Sequence, residues 1–459
     1  MPSSRPTAVI SIFAAAERLI AVGAETGLDE RRPTMNYNQS VDYIFSFSSL
    51  NAKPSLERID TLLSSLNEPQ NSFKSVHIAG TNGKGSVSTY IASVLTESGY
   101  KTGLFTSPHI RSFCERIRLD GKPIAESEVA EITSSLVPTV DGMSEKPTAF
   151  DLITAVAFEY FRRNNCDFAV LECGLGGRFD STNIVTPEIS VLCSISMDHV
   201  GLLGDTVADI TREKCGIIKC GTPVVSYPFK KTKDVFNPQP AESAKIIREA
   251  AMEKQSELII SDPDEITSSS CSLGDTTLEI DGLTLTSRLC GIHQKANILT
   301  AYSALRELSK SYRIPNGSIV SGFYKASIDA RLEKVSENPN VIIDGGHNAD
   351  CARALRMFIE SELKDEKLTA VIAMMRDKQC DEVLAELAGM FDKIIVTQVD
   401  SNRACEAHEL ARKAESYNKN VTVETKVHTA IKRAVEIGNT VIIFGSFYLA
   451  GEAKEYFSS

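Results

Sequence analysis

One stretch constrains this chain more than any other: Val76-His77-Ile78-Ala79-Gly80-Thr81-Asn82-Gly83-Lys84-Gly85-Ser86. A run of strand character enters a glycine-rich turn that carries a lysine. The segment Val87 to Ser98 follows with helical spacing, placing Val87, Ile91, Val94 and Leu95 on one face before Gly99 stops it. Strand, glycine loop and helix in this order form a phosphate cradle. Glycines let backbone N–H groups point inward, the helix N-terminus adds partial positive charge, and Lys84 neutralises phosphate oxygens. The usual phosphate loop has Ser or Thr directly after the lysine; here Gly85 intervenes and Ser86 comes one position late.

The rest of the chain repeats the strand-then-helix alternation. Ser75–Ala79, Thr102–Thr106, Phe168–Cys173, Ile189–Ser196 and Pro223–Tyr227 read as strands, with a helix over Phe150 to Arg163, which implies a parallel sheet wrapped by helices. Residues 264–290 alternate around Asp281-Gly282 like short antiparallel strands, and His293 to Ser309 reads as a helix. A second α/β series begins near Arg331, with strands at Val341–Ile343, Ala370–Ala373, Ile394–Thr397 and Val441–Phe444. At 459 residues the chain exceeds one ordinary core. The expected division is an extension over 1–34, a nucleotide- and acceptor-binding domain over 35–328 and a smaller domain over 329–459.

Composition narrows the function classes. A formal charge of −11 argues against general nucleic-acid binding, and no window approaches the roughly 20 apolar residues of a membrane span. Eleven scattered cysteines without a Cys-x-x-Cys suit reduced thiols in a cytoplasm. In the first 34 residues Glu17 and Arg18 interrupt any signal-peptide core, and Glu25, Asp29 and Glu30 argue against a transit peptide. That segment carries none of the motifs and is expected to be dispensable.

Two acids stand at strand ends, where a parallel sheet binds its ligands. Glu172 opens Glu172-Cys173-Gly174-Leu175-Gly176-Gly177-Arg178-Phe179-Asp180, and Asp198-His199 closes the following strand. Glu172 is placed to hold magnesium against phosphates. His199 alone is an unusual magnesium ligand, since hard cations prefer oxygen. Arg111, Glu115 and Arg116 form either a solvated face or part of an acceptor pocket.

The pattern Gly-Thr-Asn-Gly-Lys-Gly-Ser resembles the ATP loop of the Mur ligase superfamily and, within it, the folylpolyglutamate synthase and dihydrofolate synthase family; the resemblance runs from about residue 35 to 459. It implies a Mur-ligase-type P-loop ATPase domain followed by a Rossmann-like C-terminal domain. It also implies ATP on Thr81, Asn82, Gly83, Lys84, Gly85 and Ser86, with Asn297, Arg331 and Asp344. Two Mg²⁺ sites are implied, drawing on Ser107 of Ser107-Pro108-His109, Glu172, His199 and a carbamylated Lys214. Lys84, Lys214 and His347 would be catalytic, and Thr148, Phe150, Asp151, Phe179, Asp180 and Ser181 would bind the acceptor.

The sequence departs from the family pattern at Cys215, Asp151, Gly346 and Ala349, and at Asp329-Ala330 before Arg331. The implied activity is ATP-dependent addition of L-glutamate to dihydropteroate, to tetrahydrofolate polyglutamates or to both, by a cytoplasmic monomer with no nucleic-acid or membrane partner. Another Mur-type ligase using a UDP-linked acceptor, or a nucleotide switch without ligation, are the competing readings.

Overall fold

The computed structural model describes residues 34–47, 53–199, 201–235, 237–376 and 378–458. The expected extension lies outside them apart from Thr34. Eight strands form the first sheet: β1 (Lys74–Ala79), β2 (Thr102–Phe105), β3 (Ile117–Leu119), β4 (Lys122–Pro123), β5 (Phe168–Glu172), β6 (Ile189–Leu192), β7 (Val224–Ser226) and β8 (Leu258–Ile260). Their order is β4-β3-β2-β5-β1-β6-β7-β8, parallel from β2 to β8, with β3 and β4 turning back antiparallel. β1 lies between β5 and β6, so the loops leaving these three strands open side by side at one sheet end, where an open α/β sheet takes its ligand.

Both sheet faces are buried, which is why these strands read as continuous apolar runs. Val76, Ile78, Val170 and Val191 face helices Lys84–Glu97, Ile292–Leu308 and Asn316–Lys325. Their neighbours Ala169 and Leu171 face helices Tyr37–Phe45, Glu57–Ser65, Glu126–Gly142 and Ala149–Arg163. The phosphate-loop helix begins at Lys84, three residues earlier than the apolar spacing indicates, and is buried on most sides rather than on one. β9 (Ile266–Ser272), β10 (Asp275–Ile280) and β11 (Leu283–Ser287) make the expected antiparallel sheet.

The second sheet runs β12-β13-β17-β14-β15-β16 and is parallel except for edge strand β12. Its strands are β12 (Glu333–Glu337), β13 (Asn340–Asp344), β14 (Leu368–Ile372), β15 (Lys393–Val396), β16 (Val421–Val423) and β17 (Thr440–Phe444). Ile342, Ala370, Ile394 and Ile442 face one helical layer, and Val341, Val371, Ile395 and Val441 face the other. No helix among the described residues is long and apolar enough to cross a membrane.

Candidate active site

The loop after β1 is held by the loop after β6. Thr81 N–H donates to Ser194 O at 2.7 Å, the Thr81 hydroxyl donates to Ser196 O at 3.0 Å, and Asn82 N–H donates to Ser194 O at 3.2 Å. Gly83 has φ 87°, and a Cβ there would lie 2.5 Å from Asn297 Oδ1. Only glycine satisfies both demands. Lys84 is the first helical residue and its ammonium returns to Thr81 O at 3.3 Å. Ser86 and Asn297 are joined through Gln294, whose amide nitrogen donates to the Ser86 hydroxyl at 3.3 Å and whose oxygen accepts from Asn297 at 3.1 Å. The expected nucleotide residues from 81 to 86 and Asn297 therefore form one rigid unit.

Glu172 closes the other wall. It is buried, and Oε2 accepts the Ser107 N–H at 3.1 Å. A Cβ on Gly85 would stand 3.6 Å from that oxygen, so the phosphate loop and the carboxylate nearly touch. Burial raises the Glu172 pKa, opposed by Lys84, the Ser107 amide and Arg331. A desolvated carboxylate beside a phosphate loop, with one hydrogen bond among the described residues, suits an oxygen-seeking cation.

Lys214 is buried at the end of helix Val207–Lys214 and donates to Gly80 O at 2.8 Å. Burial and nearby Lys84 bring its pKa down to about 7. His199 is more open and lies 3.8 Å from Asp198. Among the described residues no three His, Cys, Asp or Glu side chains converge as a metal centre. The expected set thus supplies one oxygen donor beside the phosphate loop, and its remaining members stand apart from a preformed cluster.

The C-terminal unit meets this wall directly. Asn348, which caps helix Ala349–Glu362, donates through Nδ2 to Asn82 Oδ1 at 3.1 Å. Lys378 reaches Asp198 Oδ1 at 3.4 Å, with both side chains mostly shielded. His347 donates from Nδ1 to Gly345 O at 3.1 Å; burial and Lys378 lower its pKa to about 4, which favours the neutral ring and makes it a weak base. Arg331 stacks over Phe447, 4.8 Å from the ring centre. Asp344, expected to touch nucleotide, spends its two oxygens on Leu332 N–H at 3.0 Å and Gly346 N–H at 2.8 Å. It shapes the turn that carries His347 and Asn348.

The polar members of the expected acceptor set are likewise engaged within the protein. Thr148 caps helix Ala149–Arg163, and Asp151 accepts from the Thr148 N–H and hydroxyl, from Arg58 and from Ser181. Asp180 accepts from Leu175 N–H and from Thr182. What they leave for a ligand is aromatic: Phe150, packed 5.8 Å from Phe105, and Phe179, 47% exposed. Burial makes the Asp-for-Glu change at 151 readable, because the shorter acid completes a capping box and an ion pair with Arg58.

Lys378, Asn348 and Cys351, which lies 3.6 Å from Asn82 Oδ1, were not among the expected site residues. Asn348 and Lys378 do stand in segments that resemble the family's C-terminal pattern; what the sequence does not show is their partners, each more than 170 positions away.

Residues 78–305 match the family described as the Mur ligase middle domain, and residues 327–455 match the dihydrofolate synthetase C-terminal domain. The dihydrofolate synthase/folylpolyglutamate synthase of Bacillus subtilis is 31% identical over 433 residues, covering 91% of this chain and 98% of that protein. The chain belongs to the dihydrofolate synthase/folylpolyglutamate synthase family. Solved relatives agree with this. The folylpolyglutamate synthase of Mycobacterium tuberculosis, crystallised with ADP and AMPPCP, superposes with TM-score 0.83 at 29% identity, over 92% of this chain and 99% of that one. The Escherichia coli FolC structure with DHPP and ADP gives TM-score 0.81 at 28% identity, over 92% and 98%. The family's two-part plan matches the two sheets that meet at Asn82 and Asn348.

Proposed function

We propose that this chain is an ATP-dependent ligase that joins the amine of L-glutamate to the carboxylate of a folate-type acid. The observation that carries the reading is the junction between the two sheets, where the phosphate loop is hydrogen-bonded to the turn bearing His347. An amide ligase needs this arrangement, because the activated acid must meet its amine away from water. Relatives named for dihydrofolate and folylpolyglutamate synthesis support the substrate class, and complexes with ADP and AMPPCP support ATP at the loop. A UDP-linked acceptor is not favoured by these relatives.

In the first step an acceptor carboxylate oxygen attacks the γ-phosphorus of ATP, the bond to the β-phosphate oxygen breaks, and ADP leaves. The loop N–H groups and Lys84 stabilise charge on the transferring phosphoryl group. In the second, the glutamate nitrogen attacks the acyl carbon, the bond to the phosphate oxygen breaks, and inorganic phosphate leaves with the nitrogen's proton, with His347 placed on the glutamate side. Glu172 and Ser107 would hold Mg²⁺, assisted by His199 and by Lys214 as a carbamate; the ion would supply Lewis-acid neutralisation of phosphate charge. Lys214 supports this by its burial and lowered pKa, since the neutral amine is the form that adds CO₂. A carbamate nitrogen retains the N–H that Gly80 O accepts. Asp198 and Lys378 hold the two units together beside His347. We place the protein in the cytoplasm as a monomer. Glutamate-dependent ADP release with dihydropteroate or tetrahydrofolate, compared with a UDP-linked acid, tests the reading.

A further inference from the structure

Arg116 immediately precedes β3, at the end of the turn Phe113–Arg116, and pairs through its backbone with the turn that leads to Ser107: Thr106 N–H donates to Arg116 O at 3.0 Å. Its side chain has one hydrogen-bond partner among the described residues, His109 Nδ1 at 2.7 Å, reached from Nε. The two terminal guanidinium nitrogens have none. The adjacent acid makes no hydrogen bond to them: Glu115 turns its oxygens to the backbone N–H groups of Ile110, Arg111 and Ser112 at 2.7, 3.1 and 2.9 Å. Burial lowers the Arg116 pKa to about 10, offset in part by Tyr448, Glu172 and Glu115. A half-buried guanidinium without a paired carboxylate is an anion site waiting to be filled.

Its surroundings say which anion. Glu172, the acid of the phosphate-loop wall, and Tyr448 of helix Phe447–Ser458 both lie within electrostatic reach of it. That helix rests on the same turn, since a Cβ on Gly451 would lie 2.5 Å from Ile110 O. The guanidinium therefore sits in the seam between the two units. Beside it is an aromatic face: the His109 ring lies 6.5 Å from Phe45 and 6.3 Å from Phe113, and Phe45 is 48% exposed. One imidazole belongs to both features, so an aromatic ring and a carboxylate are accommodated side by side.

Building on the function proposed above, we propose that Arg116 binds the carboxylate of the acceptor acid, with the acceptor's aromatic ring against the His109–Phe45 face, and holds one oxygen through both chemical steps. While the other oxygen takes the phosphoryl group, the held oxygen becomes the carbonyl oxygen of the acyl phosphate. When the amine adds, the C=O electron pair moves onto this oxygen, and the guanidinium stabilises the oxyanion. When phosphate leaves, the pair returns and the C=O of the amide forms. Arg116 then serves in place of an oxyanion hole.

The test compares wild type with R116Q and R116K, using dihydropteroate and tetrahydrofolate as acceptors and AMPPCP as nucleotide probe. R116Q is expected to lower kcat/KM for the acceptor roughly a hundredfold while AMPPCP affinity stays within threefold. R116K keeps the charge without the fork and is expected to recover part of the loss, with the acceptor KM raised about tenfold. If R116Q does not fold, R116K alone decides. An unchanged acceptor kcat/KM, or losses of nucleotide and acceptor binding in parallel, overturns the assignment. If wild type ligates glutamate to neither acid, the proposed function itself fails, and this assignment with it.

Discussion

His77 offers a prediction whose size follows from the structure. It lies in the middle of β1 with 0% exposure. The Thr182 hydroxyl donates to Asp180 Oδ1 at 2.5 Å, so toward His77 Nε2, 2.8 Å away, it acts as acceptor. Nε2 thus donates to Thr182, with Cys173 Sγ 3.1 Å from the same nitrogen, while Nδ1 is buried without a hydrogen-bond partner among the described residues. A second proton would put an unpaired N–H and a charge into the core. Burial, with a contribution from Lys219, accordingly lowers the pKa from 6.5 to about 3.

The sign follows from linkage. Between these two values the unfolded chain binds a proton that the native state does not, so stability rises with pH and is lost as pH falls below about 6.5. From pH 7 to pH 5 this one histidine removes about 2 kcal/mol. In H77N no such group titrates. Denaturant unfolding of wild type and H77N at pH 7 and pH 5 is expected to show the stability gap between them shrinking by about 2 kcal/mol at the lower pH. Other groups with shifted pKa values, including His109, His293, His347, Glu172 and Asp344, cancel in this difference. A gap that stays constant refutes the reasoning.

Three further outcomes are expected. K84A loses at least about a hundredfold in ligation while its unfolding midpoint is retained, because the lysine binds phosphate and little core packing is lost; near-normal turnover would refute the phosphate-loop assignment. A double-mutant cycle of K378M and D198N, read in kcat/KM, gives a coupling of about 1–3 kcal/mol, and zero coupling would show that the contact plays no part in catalysis. K214A is strongly impaired and partly rescued by acetate, and ¹³C-bicarbonate labels Lys214 in wild type. A bare lysine at full activity in carbonate-free buffer contradicts the carbamate.

The phosphate loop was legible because its chemistry is local: glycines at the turn, a lysine at the helix start, an apolar strand before them. The central strands were legible because burial on both faces writes them as apolar runs. Ile189–Ser196 was read too long, since β6 stops at Leu192 while Cys193 and Ile195 stay apolar to pack under the loop. β12 and β16 were missed because edge strands are half-wet; Glu333-Lys334-Val335-Ser336-Glu337 carries charge where a central strand would carry valine. At the site, Asp151 and Asp180 share the sequence signature of binding residues, and only the fold shows their oxygens engaged by Thr148, Arg58, Ser181 and Thr182. Arg116 was legible as one of two readings, a solvated face or part of an acceptor pocket; what the sequence does not show is that Glu115 turns to three backbone amides and leaves the guanidinium ends without a hydrogen bond.

The phosphate loop and the His347 turn are proposed to form one ligase cleft for glutamate and a folate-type acid. Mass spectrometry of products after incubation with ATP, L-glutamate and either dihydropteroate or tetrahydrofolate tests it most directly. At least one acid is expected to gain a glutamyl unit, with ADP and phosphate formed in step with it. ATP turnover that leaves both acids unchanged would contradict it.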